Sequence, residues 1–151
     1  MGRLLEIKTE IGALLTSITI ANGFTFDFGT VNPIDRGKIT AWPAANIVLK
    51  SEIPASEIAR QQGFDVCQVE IEIFSKMDEV NTNPMQSFDT ENDVIIPAIK
   101  KKFRANLGKL PITGSGVLRY TGWRRQESTA GDTFSPYRLI LTCEILYNSN
   151  E

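Results

Sequence analysis

The chain contains no histidine. Its absence removes the commonest general base, every Ser-His-Asp or Cys-His arrangement and most zinc sites. Cysteine is scarce as well: Cys67 and Cys143 stand alone, and no CxxC spacing occurs. Neither GxxxxGK[ST] nor GxGxxG is present, and the nearest glycine-rich stretch, "GKLPITGSG", does not join a strand to a helix as a phosphate loop must. No apolar run approaches the roughly 18 residues needed to cross a bilayer. Nor does a basic start lead into an apolar stretch with a small-residue cleavage site. Charge of neither sign dominates: 16 Lys and Arg face 18 Asp and Glu, for a net charge of -2 and a pI near 5.3. That balance gives no reason to expect non-specific DNA binding by the chain as a whole. Internal repeats and low-complexity tracts are lacking too. These absences predict a chain without catalysis, bound metal, cofactor or membrane segment, made and assembled in a cytosol.

What is present belongs to an ordinary globular protein. A chain of 151 residues with 42% hydrophobic and 23% charged residues can bury a single core, which predicts one domain over residues 1–151. Long loops are expected at 32–43 and 126–135. Cys67 and Cys143 each fall within an expected strand, where a thiol packs as a small hydrophobe.

Leu4, Leu5, Ile7, Ile11, Leu14, Leu15 and Ile18 recur at three- and four-residue steps, which predicts an amphipathic helix ended by Asn22-Gly23. Phe24, Phe26 and Phe28 then alternate with Thr25, Asp27 and Gly29, predicting a strand over 24–31 with its aromatic face inward. Ala45, Ile47 and Leu49 give a second strand, and Pro54 or Ser56 starts about one helical turn before Gly63. Phe64 to Phe74 is a third strand, with Cys67, Val69, Ile71 and Ile73 on one face and Gln68, Glu70 and Glu72 on a wetter one. Val94, Ile95, Ile99, Phe103 and Leu107 repeat with helical spacing around Pro97. Asp93 as N-cap would put that proline in the first turn, where its missing N–H costs nothing; a kinked helix from near Ser87 is the alternative. Gly116 to Glu127 and Phe134 to Asn148 complete the chain as two long strands. The order is helix, strand, strand, strand, helix, strand, strand, with successive strands mostly joined directly. It predicts an α+β fold: a mixed, mainly antiparallel β-sheet with two α-helices packed on one face.

Candidate sites are few. Asp78-Glu79 and Asp89 to Asp93 offer carboxylates without any metal-ligand spacing, and read as solvated loop and cap residues. Lys100, Lys101, Lys102, Arg104 and Lys109 lie on and after the second helix. They read as a solvated face with favourable charge at the helix C-terminus, or as a contact for an acidic partner or nucleic acid. Trp123 beside Arg124 and Arg125 has the composition of an interface hot spot, and Trp42 sits in a loop.

The segment "LLTSITIANGFTFDFGTVNPIDRGKITAWPAANIVLKSE" resembles the N-terminal part of the tail terminator and tail-completion proteins of long-tailed bacteriophages. In that family a first helix leads into an I-x-x-A-N-G-[FY] turn, here Ile18 to Phe24, then an extended segment, a loop and a short strand. "NDVIIPAIKKKFRAN" and the closing "LxLxCEIxY" pattern, Leu139 to Tyr147, are similar in the later half. Ala21-Asn22-Gly23-Phe24 is the specific motif; "PASEIARQQ" and "RRQESTAGDTFSP" depart from the pattern. The resemblance implies a non-catalytic virion protein at the head-proximal end of the tail. It would close the tail tube as a homo-oligomeric ring, usually a hexamer, and meet the tube protein on one side and a neck or head-completion protein on the other. DNA would pass through the ring without specific binding.

Two other readings stand beside it: another neck or head-closure connector protein, or a cellular α+β binding domain or small enzyme using Asp, Glu and Arg. For the ring, the expected subunit contact joins Trp123, Arg124 and Arg125 of one copy to Glu70 and Glu72 of the next, with Trp42 as a further candidate.

Overall fold

The computed structural model describes residues 2–32, 43–53, 56–74, 84–127 and 137–149. Trp42, Asp78-Glu79 and all but the ends of the two expected long loops lie outside these residues.

The first helix, α1 (Arg3–Thr16), buries Ile7, Ile11 and Leu15, one residue per helical turn; Ile18 beyond its end is buried as well. Leu4 and Leu5 remain largely exposed, so the apolar stripe is narrower than the sequence pattern predicts. The helix also stops earlier than expected. Thr16 Oγ1 donates to the Gly12 carbonyl at 2.8 Å and Ser17 Oγ to that of Leu14 at 2.6 Å, and such back-bonding competes with further helical turns. Asn22-Gly23 instead ends a separate 3-10 turn, Ile20–Asn22, whose start is capped by Thr19 and whose end places Gly23 at φ 90°.

The expected strand over Phe24–Val31 is corrected to three residues, β1 (Thr30–Asn32). Phe24, Phe26 and Phe28 do point inward, half-buried against the core, but their backbone pairs with no strand among the described residues. Other contacts hold this stretch: Asp27 Oδ1 accepts from the Ile20 N–H at 2.6 Å, and the Phe26 and Phe28 rings meet edge-on at 5.3 Å. An alternating pattern therefore described a face correctly and a ladder incorrectly.

The remaining elements are β2 (Ala44–Ile53), α2 (Glu57–Gln61), β3 (Phe64–Phe74), α3 (Pro84–Arg104), β4 (Lys109–Leu110), β5 (Gly116–Glu127) and β6 (Tyr137–Asn148). The strands form one six-stranded sheet in the order β1-β2-β3-β6-β5-β4. The β1–β2 pair is parallel and every other neighbouring pair antiparallel. Ala45, Ile47, Val69, Ile71, Ile73, Leu139, Leu141, Cys143 and Ile145 join the buried residues of α1 and α3 in one core. The mixed α+β fold, with its two longer helices on one sheet face, is as the sequence predicts. The turn of helix before Gly63 is present as α2, capped by the Ser56 hydroxyl.

The reading of α3 as starting at Asp93 is corrected. The helix runs from Pro84, with Pro97 in its interior. Proline there leaves the carbonyl of Asp93 without its helical donor, a cost of about 3 kcal/mol in an isolated helix. Both residues face solvent, where water can satisfy that carbonyl, while Asn92, Ile95, Ile99 and Phe103 form the buried stripe. Tertiary packing on both sides of Pro97 overrides the local preference. The sheet also has a strand the sequence did not predict: β4 contains only two residues, too few for any period to be read.

Candidate functional site

Each member of the expected arginine and glutamate contact follows from its place in the sheet. Strand alternation puts Arg124 and Arg125 on opposite faces, and a bulge between Tyr120 and Gly122 decides which face each takes. Beyond the bulge Trp123 lies opposite Leu141 and Arg125 opposite Leu139, both on the helix side. Arg125 there pairs with Asp89 of α3. Arg124 lies opposite Ile140 and reaches across the other face to Glu70 at 3.1 Å, with Lys50 at 3.8 Å from the same carboxylate. The three-residue cluster is thus split, and only Trp123, 48% exposed, has apolar surface to offer a partner.

Glu70 and Glu72 were expected together on a wet face. Glu70 is half-buried; Glu72 is 4% exposed and bonded at 2.8 Å to Arg138, whose guanidinium also lies over the Phe74 ring. Removing either partner of such an enclosed pair leaves a charge out of water, and costs far more than an exposed pair contributes. The arginines and glutamates proposed to join two subunits are therefore engaged within one chain. Trp42 lies outside the described residues.

The basic end of α3 is partly ordered by aromatic rings. Lys100 Nζ lies 5.3 Å from the Tyr120 ring and Lys101 Nζ 5.3 Å from that of Phe24. Arg104 and Lys109, both exposed, make no ion pair among the described residues.

Two features escaped the sequence reading. The first is Leu107, which is 85% exposed and adopts φ 59°. Leucine is rarely left-handed, because its Cβ crowds the following carbonyl. Gly108 explains the geometry. It lies at φ 75°, so close to β5 that a Cβ there would sit 2.5 Å from the Leu118 carbonyl oxygen. The chain must press onto β5 at Gly108, and Leu107 is turned outward as a result. Beside it opens a cleft of about 830 Å3 lined by Lys109, Pro111, Ser115 and Val117, among others. Helical spacing had assigned Leu107 to the buried stripe; the left-handed backbone takes it off that stripe.

The second feature is a row of cross-strand partners, Ile53–Val66–Leu146–Val117, on the face away from the long helices. None of the four belongs to the main core, and Leu146 and Val117 are exposed. The strand pattern shows each as a lone outward apolar residue; only the register lines them up.

Titration of the buried groups is shifted as burial requires. Loss of solvation pushes the Cys143 thiol up to about 12 and that of Cys67 to about 11, the latter helped by nearby Glu52. Both thiols are free. Burial also raises Tyr147, whose hydroxyl donates to Glu52 at 2.7 Å. Glu6 is lowered, chiefly by the backbone N–H of Thr113 at 2.8 Å, with Arg3 adding to the effect. No group of three or more His, Cys, Asp or Glu among the described residues is placed to hold a metal ion. No described helix is long and apolar enough to cross a membrane.

These elements define an α+β domain with a six-stranded mixed sheet, two long helices on one face, and apolar side chains displayed at its borders. Comparison with models of known protein families found no match, and no curated protein matches the chain.

Proposed function

We propose that the chain is a tail terminator of a long-tailed bacteriophage: a structural virion protein that closes the tail tube as a homo-oligomeric ring. The observation that carries this reading is the order of elements. A first helix, a turn at Ala21-Asn22-Gly23-Phe24, an extended segment and a short strand come first. A helix over "NDVIIPAIKKKFRAN" and two long strands ending in "LxLxCEIxY" complete the chain. That is the order the sequence resemblance implies. Exposed Leu107, Ile58, Trp123 and Val117 supply the apolar surface an assembly component needs.

On this reading the ring, usually a hexamer, meets the tube protein and a neck or head-completion protein on its two sides. DNA passes through without specific recognition. The purified protein, mixed with tail tubes and imaged in negative stain, should form rings and cap tube ends. Tubes left uncapped, with light scattering that finds only monomer at high concentration, would overturn the reading. Rings that bind heads but not tubes would assign the protein to another connector layer.

A further inference from the structure

Two exposed apolar side chains on different elements have complementary surroundings. Leu107 and Lys109 line the β4–β5 cleft, and Lys109 makes no ion pair among the described residues. Ile58, on α2, is 71% exposed and follows Glu57, an exposed carboxylate likewise without an ion pair among the described residues. One site is a cleft with a lysine in its lining; the other is a short helix presenting an apolar residue next to an acid.

The sheet order places the two sites on different parts of one sheet. β4 forms one edge of the sheet. At the other, β1 pairs only with Ala44–Asn46, so no described strand covers the outer edge of the rest of β2, which leads toward α2. Both sites lie at the same end of the sheet: Phe64, just after α2, pairs with Asn148, and Tyr147 beside it pairs with Gly116 next to β4. Two different surfaces of one molecule make a heterologous contact, and repeating such a contact produces a closed ring when the rotation permits.

We propose that copies of this chain join head to tail, with α2 of one copy seated in the β4–β5 cleft of the next. Ile58 packs against Leu107 and Val117, and Glu57 faces Lys109. The apolar row Val117–Leu146 continues the contact along the sheet. The close approach of Gly108 to β5 turns Leu107 outward, where it is available to this contact. The inference rests on the proposal that the chain assembles with itself, and it names the surfaces that do so.

The test uses the full chain, with light scattering across a concentration series. Leu107→Asn is the informative variant, because asparagine tolerates the left-handed backbone and leaves the fold unstrained. Loss of an interface anchor should weaken association about tenfold or more while the melting temperature of the monomer holds or rises. Ile58→Asn should do the same. Lys109→Glu and Glu57→Lys should each weaken assembly, and the two together should recover part of it, which a merely structural role would not produce. If the wild type assembles and Leu107→Asn and Ile58→Asn assemble equally well, this contact is wrong while the ring reading stands. Normal rings of Leu107→Asn that fail only to cap tubes would assign the cleft to another protein and overturn the choice of a second copy. A wild type that stays monomeric would overturn both.

Discussion

Arg124 and Arg125 are adjacent in the chain, yet one bonds to Glu70 on the outer sheet face and the other to Asp89 of α3 on the helix face. At this scale the sequence shows which side chains are present and conceals whom they meet. The separation of Trp123 and Arg125 from Arg124 follows from strand alternation and was legible. The bulge that assigns the faces was hinted at only by Gly122 within a strand, a common mark of a bulge. The burial of Glu72 was not legible, because it depends on Arg138, 66 residues away. Cys67 and Cys143 were legible, since both alternate with polar neighbours in long strands. Their thiolates, the reactive forms, are suppressed by burial. Each neutral thiol contributes stability that is complete below the ordinary value of 9.0 and lost as pH rises toward about 11 for Cys67 and about 12 for Cys143. Iodoacetamide at pH 8 should leave both unlabelled in the native protein and label both in denaturant. Rapid native labelling of either would contradict the burial described.

Among the elements, β3 and β6 were the most legible, as long strands with an unbroken alternation on the core side. The helices were legible in their middle turns and misread at their ends, where hydroxyl back-bonding at Thr16 and Ser17 and tertiary packing around Pro97 decide the boundary. Pro97 makes a direct test of that account. Pro97→Ala restores a donor for the Asp93 carbonyl at a solvent-facing position, so it should raise stability by about 1–3 kcal/mol, read as a higher melting temperature. A lower melting temperature would mean that the proline shapes α3 for packing. A second element-scale prediction concerns the tie between α1 and the turn after β4, where Glu6 accepts from the Thr113 N–H and hydroxyl. The folded carboxyl titrates below its ordinary value of 4.5. Its contribution is therefore present above that pH and lost as pH falls through the folded value. Glu6→Gln should lower stability at neutral pH and flatten the acid limb of the stability profile below pH 4.5. An unchanged acid limb would remove Glu6 from this role.

For the whole molecule, the fold class was legible because patterning and chain order determine which faces must be covered. The borders were not. Leu107 is turned outward by a backbone contact at Gly108, and the Ile53–Val66–Leu146–Val117 row exists only once the strands are in register. Both are products of tertiary geometry. On the proposed function, this surface closes the chain into a ring that caps tail tubes. Negative-stain imaging of the purified protein with tail tubes tests it most directly. Closed rings of one size, seated on tube ends and halting tube growth, are the predicted result; monomers beside tubes that go on lengthening would contradict it.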